Sequence, residues 1–214
     1  MNTQVKKLII VPGHASFREE VQLPLPTHFD KDVYWALQSF QKGEPPFYVE
    51  QIKEALAVSD AHSLVVFSGG RTRLESGAFW SEAQTYYEIA KKFSSEQHIN
   101  MTLETYARDS FQNLDFSVRK FRQHTGADPE AICVIGWAFK KDRFDFHAKT
   151  LGIQPSVFTY VSVNNPLPED LPGALVGEQK TLQQFKDDPF GEGKILYDKR
   201  SQRDPYSDGL PTDY

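Results

Sequence analysis

The chain has 214 residues, 24 basic and 29 acidic, for a formal net charge of -5. That is one domain's worth of sequence, and its acidic balance argues against bulk attraction to nucleic acid or to an anionic membrane surface. The one cysteine, Cys133, lies inside the apolar run AICVIGW, so no internal disulfide is possible and the residue reads as a small buried hydrophobe.

The first apolar run, KLIIV (7–11), stops at Pro12-Gly13, too soon for a signal-peptide core or a membrane span, which predicts a soluble, cytoplasmic protein. KLIIV, SLVVFS (63–68), AICVIGW (131–137) and VFTYVSV (157–163) are short, β-branched and nearly continuous, as strands covered on both faces are. MTLETYA (101–107) fits a further, shorter strand.

Helical spacing fills the intervals. Val33, Leu37 and Phe40 share one side of 32–40, Val49, Ile52 and Leu56 one side of 49–59, and Phe111, Leu114, Val118 and Phe121 one side of 110–121. Asp109 or Ser110 suits the cap of the last, and Gly126 stands just past its end. Further helices are predicted over roughly 77–93 and over about 140–151, closed by Gly152. The alternation implies an α/β fold with a mostly parallel sheet between helices.

From about residue 164 the pattern changes. NNPLPEDLPGALVG reads as proline-punctuated loop and EQKTLQQFKDD as one more helix. Residues 188–214 read as an extended or disordered tail on a domain spanning 1–187.

In a parallel sheet, ligands gather outside the carboxyl ends of the strands. The segments there are Pro12-Gly13-His14, Ser68-Gly69-Gly70-Arg71-Thr72-Arg73, Arg108-Asp109-Ser110 with Gln112-Asn113, and Lys140, Lys141 and Arg143. Glycines let backbone N–H groups approach an anion, and guanidiniums offer forked donors to phosphate or carboxylate. This favours a small anionic ligand held by Gly13, Ser68, Gly69, Gly70, Arg71, Arg108, Ser110, Asn113, Lys140 and Arg143. His14 and Glu82 are the candidate catalytic residues, as acid/base or ligand-orienting groups. Plainer roles stand beside these: a turn for the glycine pair, solvated charge for Arg71 and Arg73, a helix cap for Asp109 and packing for His147. No dinucleotide, P-loop, nucleophile-elbow or zincin motif is present, and no histidine has metal-ligand spacing.

The ordered series VPGHAS, VVFSGGRT, SEAQTYYEIA, LETYARDSFQNLDFS and VIGWAFKKDRFDFHAKTLGI, over about residues 7–165, resembles the SanA, YdcF and ElyC-like group, domain of unknown function 218. Ser68-Gly69-Gly70 and Ser81-Glu82-Ala83 match that group's motifs. Ser110 to Asn113 approximate its Thr-x-Glu-Asn signature, and Arg143 matches its late arginine. The family's glutamate falls at Gln112 and its late histidine at Lys140. The resemblance implies a three-layer Rossmann-like sandwich and nucleotide-like or S-adenosylmethionine-like ligands. GWAFKKDRF is similar to the form in soluble fungal relatives. Three functions follow as expectations: an enzyme on a phosphorylated or nucleotide-like molecule, a binding or sensor module without turnover, and a scaffold using its C-terminal tail.

Overall fold

The computed structural model describes residues 4–72, 80–94 and 99–203. Five strands form one sheet: β1 (Lys7–Pro12), β4 (Ser63–Ser68), β5 (Asn100–Glu104), β6 (Ala131–Trp137) and β7 (Phe158–Asn164). Their order is β5-β4-β1-β6-β7 and every neighbouring pair is parallel. Two short strands, β2 (Ser16–Phe17) and β3 (Trp35–Ala36), pair antiparallel beside it.

Because successive strand side chains point to opposite faces, β1, β4 and β6 each feed two cores. Ile9, Val11, Val65, Phe67, Cys133 and Ile135 pack under α1 (Pro45–Ala57) and α2 (Glu82–Phe93), against Ile52, Tyr86 and Ile89. Leu8, Ile10, Leu64, Val66, Ile132 and Val134 face α3 (Ser110–Thr125) and α4 (Lys141–Thr150), against Leu114, Phe121 and Phe144. The result is the predicted three-layer Rossmann-like sandwich, with Cys133 buried. Two more helices, α5 (Leu171–Asp187) and α6 (Lys194–Ser201), follow the last strand. Among the described residues no helix is long and apolar enough to cross a membrane.

Asp109 caps α3, its carboxylate accepting from Gln112 N at 2.9 Å, and Gly126 ends it with φ 74°. Ser81 caps α2, which starts later than the predicted position near 77; residues 77–79 lie outside the described residues, as does Arg73. The predicted strand over 101–107 is β5, which ends at Glu104.

Three expectations are corrected. Residues 32–40 are not one helix but two 3₁₀ turns flanking β3, with Val33 and Phe40 exposed. Trp35, buried and donating its indole N–H to Phe29 O at 2.7 Å, decides that segment's conformation. The expected loop 164–177 is helical from Leu171. Within the expected tail, 194–201 is helix α6, anchored by buried Leu196 and Arg200; residues 204–214 lie outside the described residues.

Candidate functional site

The sheet order reverses between β1 and β6, which is where open α/β sheets bind ligands. A cavity of about 680 Å³ opens at this point. Its walls include Gly13, His14, Glu82, Arg108, Ser110, Asn113, Lys140 and Arg143, eight of the twelve residues expected from sequence; Ser68, Gly69, Gly70 and Arg71 do not line it.

His14, just past β1, and Lys140, in the turn past β6, meet across the switch point with Nζ 3.3 Å from Nδ1. The His14 ring packs against Tyr48 at 5.4 Å and Trp137 at 5.7 Å between centroids. Burial, and then the Lys140 charge, hold its pKa well below the ordinary range, so the ring is neutral. Burial, and then Arg143, push Lys140 down to about 8.

The orientation of the His14 ring is fixed from a distance. Phe47 O accepts from Asn164 Nδ2 at 3.0 Å, which leaves Asn164 Oδ1 to accept from Gln51 Nε2 at 2.8 Å. Gln51 Oε1 then faces His14 Nε2 at 3.1 Å. A carbonyl oxygen only accepts, so the ring proton is on Nε2 and Nδ1 presents a lone pair to Lys140.

The glycine turn has a different purpose from the anion cradle expected of it. Gly13 N donates to Ser68 O, Gly69 N to Glu104 O and Gly70 N to Ala107 O, at 2.7, 3.0 and 2.8 Å. Those N–H groups tie adjacent strand ends together and do not point at a ligand. Gly69 has φ 151°, and a Cβ there would stand 2.9 Å from Glu82 Cβ; the turn makes room for Glu82. The Glu82 carboxylate accepts from Thr72 Oγ1 at 2.6 Å. Ser68 is wholly buried, its hydroxyl 2.6 Å from Glu104 Oε2 and 3.2 Å from Asn113 Oδ1.

Arg143, also buried, gives its fork to Glu178 of α5, Nε to Oε1 and Nη2 to Oε2 both at 2.7 Å, while Nη1 donates to Ser110 Oγ. Asp109 pairs with Arg200 of α6. Arg108 lines the cavity with its Nε 3.4 Å from Gln112 Oε1. His147 packs against Phe185, with Nε2 2.8 Å from Ser110 Oγ. Burial and the charges of Arg143 and Arg200 hold its pKa well below the ordinary range.

Six basic and six acidic side chains line the cavity, so the expected cation-rich edge is charge-balanced. Glu44, Glu169, Asp170 and Glu178 come from segments that precede α1 or follow β7, which a reading of strand ends alone does not reach. Among the described residues no three His, Cys, Asp or Glu side chains cluster as metal ligands would.

With this geometry established, one similarity to a known protein stands out. The chain is 26% identical to an uncharacterized protein of Saccharomyces cerevisiae, YOR238W. The alignment extends over 272 residues and covers 96% of this chain and 86% of the yeast protein. No family model matches the chain, and no solved structure does.

Gln51, Asn164 and Glu178 are the site residues that sequence reasoning missed. Gln51 had a weak signal as a polar residue on the buried side of α1, where it is wholly buried.

Proposed function

We propose that the cavity takes a small anionic molecule, phosphorylated or nucleotide-like, and that the protein is an enzyme acting on it. One observation carries the reading: Lys140 is a half-buried ammonium on the cavity wall with no carboxylate within ion-pair distance among the described residues, whereas buried Arg143 and Arg200 each have one. A partly desolvated charge without a counter-charge is costly, and a ligand anion at Nζ supplies the missing partner. Arg108 adds positive charge to the same wall, and Asn113, at the first turn of α3, can both donate and accept. We read the chain as a divergent member of the SanA, YdcF and ElyC-like group, supported by Ser68-Gly69-Gly70 at the end of β4 and Ser81-Glu82-Ala83 at the start of α2.

The test is thermal unfolding with inorganic phosphate, nucleotides, sugar phosphates and S-adenosylmethionine. A ligand at a hundred times its Kd adds about 2.7 kcal/mol. Stabilisation by one anionic class, lost in Lys140→Met, is the expected result; no stabilisation by any of them overturns the reading. A binding module without turnover is the second reading, favoured by the Arg143 fork being filled by Glu178. It is distinguished by saturable binding with no product on long incubation.

A further inference from the structure

We propose that Lys140 is an amine nucleophile that forms an imine with a small aldehyde or ketone, and that Gln51 and Asn164 are positioning residues that keep its lone pair open to the cavity. The inference rests on the reading of the cavity as a site for small anionic molecules, and gives that molecule a carbonyl group.

The argument turns on which nitrogen of His14 carries the proton. In the opposite tautomer, Nδ1–H would donate to a neutral Lys140 Nζ and occupy the lone pair that must attack. The chain of hydrogen bonds from Phe47 O through Asn164 and Gln51 puts the proton on Nε2. Nδ1 is then an acceptor 3.3 Å from Nζ, so it holds one N–H of the amine and the lone pair points elsewhere. Lys140 lines the cavity that would hold the ligand.

The charge environment makes the amine accessible. The groups acting on Nζ are Arg143 on α4, Glu178 on α5, Glu82 on α2, Glu44 ahead of α1 and neutral His14. Burial and Arg143 outweigh the three carboxylates, and a pKa of about 8 leaves roughly a tenth of the side chain neutral at pH 7. An amine of this kind is the usual nucleophile for Schiff-base chemistry.

The step balances without any oxidant or reductant. The Nζ lone pair forms a bond to the carbonyl carbon as the C=O π pair moves to oxygen. Nδ1 of His14 takes a proton from Nζ of the adduct and passes it to that oxygen. The nitrogen lone pair then forms the C=N bond as the C–O bond breaks, and the departing hydroxide takes the remaining N–H proton, which gives water and the neutral imine. A weakly basic His14 returns protons readily, which suits this relay.

The experiment uses the full chain with glyceraldehyde 3-phosphate and sodium cyanoborohydride at pH 7.5, followed by peptide mass spectrometry. The expected result is a reduced adduct on Lys140 at roughly tenfold or more the level on exposed Lys42, since burial raises the neutral fraction of Lys140. Gln51→Met and Asn164→Leu lower the Lys140 adduct and leave Lys42 unchanged. Imidazole ¹⁵N spectra of the folded wild-type protein show His14 protonated on Nε2. An adduct on Lys140 no greater than on Lys42, or an Nδ1-protonated His14, overturns the proposal.

Glyceraldehyde without phosphate separates the two readings. Equal labelling of Lys140 with and without the phosphate retains the amine nucleophile and overturns the anionic-ligand reading. Stabilisation by inorganic phosphate with no Lys140 adduct does the reverse.

Discussion

Gly13 and Glu82 are in direct contact: a Cβ added to Gly13 would stand 2.3 Å from Glu82 Cβ. The Glu82 Cβ is fixed to the start of α2, so no rotamer change relieves the clash. Gly13→Ala must push α2 away from β1, at a cost of about 1–3 kcal/mol for overpacking. The expected outcome is a fall in Tm of roughly 2–4 °C per kcal/mol for a domain of this size. Glu82→Gly in the same chain removes the opposing Cβ and restores part of the loss, whereas Glu82→Ala does not.

The pair Arg143–Glu178 joins α5 to the floor of the cavity through two parallel hydrogen bonds, with both side chains about nine-tenths buried. Glu178→Ala leaves a buried guanidinium without its counter-charge, a loss of about 3–5 kcal/mol. Equilibrium urea unfolding measures it. Glu178→Gln keeps one acceptor for the fork and costs less, so the expected order of stability is wild type, then Gln, then Ala.

The strands were legible because a parallel strand buried on both faces must be apolar along its length, and KLIIV and SLVVFS have no other reading. His14 and Lys140 were legible for a topological reason: each follows a strand, and the sheet order brings those two strand ends side by side. Gln51 and Asn164 are 113 residues apart, and nothing local in either segment signals that one amide bonds the other. Helix α6 carries no periodic signal in the sequence because only Leu196 and Arg200 are buried along it, too sparse a stripe to show a period. Between residues 32 and 40 the helical spacing of Val33, Leu37 and Phe40 was coincidental, and burial of one large side chain, Trp35, outweighed it.

Asp109 has two functions that substitutions separate. One carboxylate oxygen accepts from Gln112 N as the cap of α3, and the other pairs with Arg200. Asparagine caps a helix about as well as aspartate, so Asp109→Asn keeps the cap and loses the charge pairing with α6. Asp109→Ala loses both, and the cap accounts for a further ~1 kcal/mol. Proteolysis that reports opening of 194–203 should accelerate similarly in both variants, while urea unfolding should separate them.

Glu104 predicts how stability depends on pH. Its carboxyl is wholly buried, and burial pushes it from the ordinary 4.5 up to about 7, against hydrogen bonds from Ser68, Tyr106 N and Ala107 N. The folded state therefore holds a proton that the unfolded chain gives up at lower pH. Its contribution is full below about 4.5, falls as pH rises, and is gone above about 7, a loss of at most about 3 kcal/mol. Protonated Glu104 can donate to Ser68 Oγ, which frees the Ser68 hydroxyl to donate to Asn113 Oδ1. Glu104→Gln reproduces that pattern at every pH: its amide oxygen accepts from Tyr106 N and Ala107 N, and its NH₂ donates to Ser68. Urea unfolding at pH 5 and pH 8 tests this, with Glu104→Gln near wild type at pH 5 and more stable than wild type at pH 8. A variant less stable than wild type at pH 8 would show that the ionised carboxylate is the form that supports the fold.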